Sequence, residues 1–386
     1  MPFANLAAEL AGLEARGLKR ARRTLDGPQG ARTVVDGREV VTFCSNDYLG
    51  LAADPRLSAA VREGAERYGV GAGASHLILG HAAPHHALEE ALARFVRLPR
   101  ALLFSTGYMA NIGIVTALAG RDDAVFADKL NHASLNDAAL LSRAAFKRYP
   151  HGDLSALEKM LASSAARRKL VVTDAVFSMD GDIAAVPELV RLCERHDAWL
   201  VLDDAHGFGV IGAAGRGVLE HFSVASPRIV YMATLGKAAG VFGAFVAGEP
   251  ELIETLMQRA RPYIYTTAPP PLLAHALLAS LEIIAIESWR RERIAHLIVQ
   301  LRQGLSRVRW KLARSDTAIQ PLMIGANDEA VRVSGALQAR GVMVPAIRPP
   351  TVPQGTARLR ISLSAAHSGE DLSQLVHALC DISVNA

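Results

Sequence analysis

Three cysteines in 386 residues, Cys44, Cys193 and Cys380, are too few and too far apart for a disulfide framework, and their odd number also argues against a paired-cysteine metal site. A reducing compartment suits them. Aromatic residues make up only 5% of the chain and no Lys/Arg run is interleaved with them, so the stacking platforms and basic stripes of a nucleic-acid binder are missing. Charge of one sign is also lacking. The 42 basic and 38 acidic side chains leave a net charge of +4, enough to help draw in an anionic substrate but not to specify one. No stretch offers the roughly 20 uninterrupted apolar residues of a membrane-spanning helix. The opening MPFANLAAELAGLEARGLKRARR has no unbroken apolar core of the kind a secretory signal needs, and Glu9 and Glu14 speak against a transit peptide. A cytoplasmic protein is expected. Leu6, Leu10 and Leu13 fall at i, i+4 and i+7 and predict a short amphipathic helix.

What is present is aliphatic. Half of the residues are hydrophobic and 21% are charged, which fits a compact protein with a large core. Single cores stop growing near about 250 to 300 residues, so a chain of this length predicts a large domain and a smaller one. From about residue 100, short apolar runs alternate with helix-period stretches: ALLF (101–104), AVFA (124–127), KLVVTDAVF (169–177), WLVLDDAH (199–206) and IVYMATLG (229–236). The pattern predicts an α/β fold with a mostly parallel sheet covered by helices on both faces. VPELVRLCERH shows the helical half, with Pro187 in a first turn and Leu189, Leu192, Cys193 and His196 on one face. After TTAPPP (266–271) comes a long helical region, roughly 272–310, then AIQPLMIG, a helix, VMVPAI, ARLRISLS and a last helix. This predicts an N-terminal helix and segment over 1–45, a large domain over 46–271 and a smaller α/β domain over 272–386.

Ligands in such folds bind at the carboxyl ends of the strands. There WLVLDDAH places Asp203 and His206, and IVYMATLG places Thr234 and Lys237. A lysine for covalent attachment, a carboxylate to keep a pyridine nitrogen protonated, and hydroxyls and N–H groups for a phosphate are what pyridoxal 5'-phosphate (PLP) chemistry requires. Alone, Asp203 is readable as a helix cap and Lys237 as a solvated loop residue. Other strand ends supply matching parts. Ser105-Thr106-Gly107-Tyr108 leads into a helix whose N-terminal N–H groups suit a phosphate. His132 is placed to lie on a ring, and Ser178 to donate to a ring oxygen.

These residues sit in motifs that resemble a known family, the α-oxoamine synthases of the fold-type-I PLP enzymes. The resemblance runs along nearly the whole chain: FCSNDYLGL (43–51), GVGAGAS (69–75), FSTGYMAN (104–111), NHAS (131–134), VFSMDGD (176–182), DDAHGFGVIG (203–212) and TLGKAAG (234–240). AIQPLMIG (318–325) and AIRPPTVPQGTARLR (346–360) resemble the branch that joins L-alanine to a pimeloyl thioester with loss of CO₂. The resemblance implies that Lys237 carries the cofactor, Asp203 partners the pyridine nitrogen and His132 stacks on the ring. It implies Ser178 and His206 for the ring hydroxyl, and Gly107, Tyr108 and Thr234 for the phosphate. Asn46 and Arg360 are implied for the amino-acid carboxylate, which a planar guanidinium matches. Thr351 and one arginine of Arg20-Ala21-Arg22-Arg23, taken as Arg22, are implied for the acyl substrate. A homodimer with a shared site, bringing Thr266 or Thr267 of the partner subunit to the phosphate, and a CoA or acyl-carrier-protein donor are implied as well. Glycine-using relatives and a catalytically silent scaffold subunit are the rival readings.

GASHLILGHAAPHH departs from the family's more common serine-glycine-arginine-like run, with Ala74, Leu79 and His81 the unusual residues. GVGAGA follows a helical stretch and so lacks the strand that a dinucleotide loop needs, and Tyr231 and Ala238 rule out a P-loop at Gly236-Lys237. His85-His86 with Glu89 and Glu90 reads as a surface helix and not as a metal site, because Pro84 suits a helix start and Leu88, Leu92 and Phe95 share a face.

Overall fold

The computed structural model describes residues 3–16 and 18–384. A seven-stranded sheet lies at its centre; its strands are numbered here in chain order as β1 (Arg100–Phe104), β2 (Ala124–Asp128), β3 (Ala145–Tyr149), β4 (Lys169–Asp174), β5 (Trp199–Asp203), β6 (Ile229–Thr234) and β7 (Ala244–Gly248). Their order is β1-β7-β6-β5-β4-β2-β3. Strands β2 to β6 pair in parallel, and only β7 runs against its neighbours. Along β4, Leu170 and Val172 join one apolar layer and Val171 joins the other. Burial on both faces is why the predicted strands read as unbroken apolar runs. The runs 169–177, 199–206 and 229–236 overshoot the strands: β4, β5 and β6 stop at Asp174, Asp203 and Thr234, and the remaining residues are loop.

Local chemistry sets the flanking helices. Helix Pro55–Tyr68 has Pro55 in its first turn, Asp54 accepting from the Arg56 N–H, and Gly69 at φ 74° after its last turn. Helix Val186–Arg195 buries Leu189, Leu192 and Cys193 on the predicted face. The N-terminal helix is Ala4–Ala15, with Leu6 and Leu10 each 52% exposed, so its apolar side is only weakly covered.

Two regions differ from expectation. The N-terminal segment also holds a hairpin, Arg32–Val35 with Arg38–Thr42, closed by Asp36 (φ 50°) and Gly37 (φ 76°), the pair of left-handed residues that a tight hairpin turn demands. Strand Arg38–Thr42 pairs in parallel with Val342–Met343, which ties this segment to the C-terminal part. The long helical region is two helices, Pro271–Ile286 and Trp289–Gly304, bent by 64°. At the bend the buried Arg290 donates to the Leu49 carbonyl (2.6 Å), Glu287 (2.7 Å) and Asp54 (3.2 Å). The C-terminal sheet has the order Lys311–Leu312, Ile319–Gly325, Ala357–Ser362, Ala346–Ile347 and is antiparallel throughout. VMVPAI splits into two short strands in two different sheets. Among the described residues, no single helix is long and apolar enough to cross a membrane.

Candidate active site

The carboxyl ends of β1, β2, β4, β5 and β6 open onto one cavity of about 180 Å³. Parallel register sets Asp174 of β4 beside Asp203 of β5, and Asp203 beside Met232 of β6. Both carboxylates are buried. Asp203 accepts from Asn111 Nδ2 (2.7 Å) and from the Ala205 N–H (3.0 Å), so its orientation is fixed from two sides. Asp174 accepts from the His132 N–H and thereby holds the residue that caps helix Ala133–Ser142. Burial, with Asp203 as its neighbour, pushes the Asp174 carboxyl well above the usual range.

Lys237 follows β6, and its Nζ lies 2.8 Å from His206 Nε2. His206 Nδ1 lies 2.6 Å from the Tyr48 hydroxyl, which donates to Asn46 Oδ1 (3.2 Å). With Tyr48 donating to Asn46, His206 gives its Nδ1–H to the phenol and keeps Nε2 as the acceptor for Lys237. Burial pushes the His206 imidazole well below its ordinary range, aided by Lys237 and Arg360. Burial likewise pushes the Lys237 amine down to about 8, against the opposing pull of Asp203 and Asp174. A lysine so placed is a usable base and nucleophile near neutral pH.

The network ends in strand Ala357–Ser362. Arg360 is buried at 5% exposure, so it is no exposed strand residue, and it donates to Asn46 Oδ1 (3.1 Å), Ser362 Oγ (2.7 Å), the Ser178 carbonyl (2.5 Å) and the Tyr48 oxygen (3.4 Å). Arg358 faces the same side, equally buried, but pairs with Asp180 (2.5 Å) and the Met179 carbonyl.

At the other end of the cavity, helix Gly107–Leu118 is capped by Thr106, which accepts from the Met109 N–H (3.1 Å). A Cβ on Gly107 would meet nothing nearer than 3.8 Å, so a hollow lies at this helix start. Thr234 borders it and donates to the Gly243 carbonyl (3.0 Å). Tyr108 is 47% exposed and gives its hydroxyl to Asp137 (2.5 Å). His132 and Ser178 are on the cavity wall too.

Of the expected residues, Lys237, Asp203, His206, His132, Ser178, Gly107, Tyr108 and Thr234 come together around this one cavity. Asn46 joins Lys237 on a neighbouring cavity of about 450 Å³, and there the structure places Arg23, not Arg22, on the wall. Arg22 is exposed and off that wall, whereas Arg23 is held by Asp36 (2.9 Å) and Gln338 (3.0 Å). Thr351 is exposed, and Thr266 and Thr267 stand off the walls formed by their own chain. Sequence reasoning missed Tyr48, Asn111, Ser134 and Asp174. Tyr48, Asn111 and Ser134 left a signal, since they fall inside the quoted motifs FCSNDYLGL, FSTGYMAN and NHAS.

Comparison with known proteins agrees with this geometry. Residues 38–379 match the family described as aminotransferase class I and II. An 8-amino-7-oxononanoate synthase of Nitrosospira multiformis is 67% identical over 367 residues, 95% of this chain and 93% of its own. A solved Sphingomonas wittichii serine palmitoyltransferase superposes with a TM-score of 0.94 at 31% identity, covering 100% of this chain and 98% of that one. Another solved serine palmitoyltransferase, captured with its PLP internal aldimine, gives a TM-score of 0.93 at 30% identity over 100% and 98% of the two chains. With a family match from residue 38 to residue 379 and a relative this similar over nearly the whole length, the chain belongs to the class I and II aminotransferase family and, within it, to the α-oxoamine synthases.

Proposed function

We propose that this chain is a PLP-dependent 8-amino-7-oxononanoate synthase of biotin biosynthesis, condensing L-alanine with a pimeloyl thioester and releasing CO₂ and the thiol. The observation that carries the reading is the hydrogen-bonded chain from Lys237 through His206 and Tyr48 to Arg360, in a protein 67% identical to a synthase of that name. The higher identity to that relative than to the serine palmitoyltransferases, 67% against 31%, favours alanine over serine as the amino acid.

The residues fit the cofactor. The hollow at Gly107 offers helix N–H groups to a phosphate, and the carboxylate of Asp203 and the amine of Lys237 share the same cavity. When bound, PLP supplies an electron sink that acidifies the amino-acid Cα and accepts the electrons left by decarboxylation. Gly107, Tyr108 and Thr234 are assigned to its phosphate, joined by Thr266 and Thr267 of the partner subunit in a homodimer. Asp203 would hold the proton on the ring nitrogen, His132 would stack on the ring, and Ser178 and His206 would hold the ring hydroxyl. Lys237 anchors the cofactor between turnovers and, once released, takes and returns the proton at the alanine Cα; its depressed pKa suits both roles. Arg360 and Asn46 hold the alanine carboxylate so that the Cα–H faces Lys237.

Thr351 and the N-terminal arginines are assigned to the acyl chain. Arg23 is the better placed of those arginines, and Arg22 is the alternative. The thioester is carried by CoA or by an acyl carrier protein, in the cytoplasm. In the proposed layout of 1–45, 46–271 and 272–386, the middle part holds the cofactor and the last part brings Arg360 to the substrate.

The test is turnover by purified holoenzyme of L-alanine, glycine and L-serine, each with pimeloyl-CoA, with the product identified by mass spectrometry. Alanine is expected to be preferred, and Lys237→Ala is expected to make no product. Preference for glycine or serine would overturn the substrate, and turnover by Lys237→Ala would overturn the site.

A further inference from the structure

A second cluster of chemistry-bearing side chains lies away from this cavity, between the π-helical turn His76–Gly80 and helix Ala83–Val96. The helix is not the plain surface helix that its sequence suggests: His85 is fully buried and the Glu89 side chain only 14% exposed, while His86 and Glu90 stay exposed. One ligand atom each of His81, His86 and Glu89 falls within 4.8 Å of the others. His81 Nε2 and Glu89 Oε2 are 3.9 Å apart, too far for a hydrogen bond. That spacing is close to what two ligands of one tetrahedral ion adopt, since bonds of about 2.0 to 2.2 Å set neighbouring ligand atoms about 3.5 Å apart.

The surroundings prepare these atoms. His76 Nδ1 lies 3.0 Å from His81 Nδ1, so an Nδ1–H of His81 given to His76 leaves the His81 Nε2 lone pair facing Glu89. His76 is itself fixed, 6% exposed and stacked on Tyr263 with ring centroids 4.9 Å apart. Its Nε2 has no partner. Glu89 Oε1 accepts from the Leu103 N–H (2.9 Å), which leaves Oε2 for another partner. His85 is already committed. Its Nδ1 accepts from the Ala82 N–H (3.0 Å) and its Nε2 donates to the Pro269 carbonyl (2.8 Å), so it pins the segment instead of ligating. A cavity of about 530 Å³, bordered by His76, His81, His86, Glu89 and Glu90, gives access from solvent.

We propose that His81, His86 and Glu89 form a binding site for a divalent cation of the Zn²⁺ class, with a fourth coordination position open to the cavity. The nitrogen-rich donor set with one carboxylate selects Zn²⁺, Co²⁺ or Ni²⁺ over Mg²⁺ and Ca²⁺. The ion would clamp the loop that carries His81 onto the helix that carries His86 and Glu89. Glu90, 3.4 Å from His86 Nε2 and 3.5 Å from Arg94, competes for His86 and is displaced from it when metal binds.

The experiment uses holoenzyme stripped with a chelator, titrated with Co²⁺ and then with Zn²⁺. One Co²⁺ per chain is expected, with visible d–d bands of a tetrahedral site, no sulfur-to-cobalt charge transfer, and displacement by Zn²⁺. His86→Ala and Glu89→Gln should each weaken binding by about tenfold or more. His86 is exposed, and glutamine keeps an acceptor for the Leu103 N–H, so both variants should keep wild-type cofactor content and circular dichroism. Absence of a stoichiometric Co²⁺ site in the wild type, or unchanged affinity in His86→Ala, overturns the proposal. His86→Ala decides alone should Glu89→Gln fail to fold.

Discussion

At the Lys237 end of the cavity, the lysine, His206, Tyr48, Asn46 and Arg360 hold one another in a single hydrogen-bonded chain. At the Gly107 end the polar groups are turned elsewhere: Thr234 gives its proton to the Gly243 carbonyl and Tyr108 gives its own to Asp137. The first end is organised by its own residues, as groups that move protons and fix a substrate must be. The second is a hollow beside a helix start, where the N–H groups and dipole already favour an anion without any side chain being aimed at it. Strength of organisation should therefore translate into size of effect when each end is perturbed.

The largest effect belongs to the Lys237 amine. With a pKa near 8, half of it is neutral at pH 8, whereas an ordinary lysine near 10.4 is neutral in about one part in 250, so its reactivity should exceed that of surface lysines by up to about a hundredfold. Because burial lowers the pKa, the neutral fraction rises with pH through about 8, not through 10. Trinitrobenzenesulfonate labelling of the cofactor-free protein, mapped by peptide mass spectrometry, reads this directly. A Lys237 peptide whose labelling climbs only above pH 10 would show that the closed end does not tune its amine.

Next is Arg360, at the far end of the same chain. Arg360→Ala removes a charge-assisted carboxylate contact worth about 1.5 to 3 kcal/mol, so the KM for alanine should rise by about ten- to a hundredfold. Lysine restores the charge but not the fork, and Arg360→Lys should recover part of the loss. Arg358→Ala is the control. Its side chain is spent on Asp180 and Met179, so this variant should lose stability more than alanine affinity. The reverse pattern in an alanine titration would move the carboxylate site to Arg358 and detach the network from substrate binding.

The contrast between the two ends also explains what could be read from the sequence. Strands β1, β2, β4, β5 and β6 were legible because strands buried on both faces are unbroken apolar runs, and their ends delivered Asp203, His206, Thr234 and Lys237. Strand β7 was not: AFVAG, rich in small residues, is too short and weakly patterned to stand out, and its antiparallel pairing depends on the neighbours it fits between. Strand β3, AFKRY, is an edge strand carrying charge, which is how edges are protected and why they read as loop. The Asp36-Gly37 hairpin carries a turn signal, in VVDGREVV, inside the stretch that the expected layout gives only as an N-terminal helix and segment. Asp174 hid inside a strand run. Its role appears only when parallel register sets it beside Asp203, a fact of tertiary pairing that no local pattern contains.

The smallest effect is expected at the open end. Thr234 borders the hollow, and its hydroxyl is the one side-chain donor of β6 that could turn from the Gly243 carbonyl toward a phosphate. Such a switch exchanges one hydrogen bond for another, and most of the anion's stabilisation comes from the helix N-terminus, which the substitution leaves intact. Thr234→Val keeps the branched shape and removes only the hydroxyl, so PLP affinity should fall by about two- to tenfold, the equivalent of about 0.5 to 1.5 kcal/mol. Thr234→Ser should stay near wild type because it keeps the donor. The measurement is a titration of cofactor-free protein with PLP, followed by the absorption of the bound cofactor, with thermal unfolding of each variant run in parallel. If Thr234→Val binds PLP as the wild type does but unfolds at a lower temperature, the hydroxyl is a strap between β6 and Gly243 and takes no part in the phosphate site. A loss far beyond tenfold at unchanged stability would erase the contrast instead, because the open end would then depend on a single side chain as strongly as the closed end does.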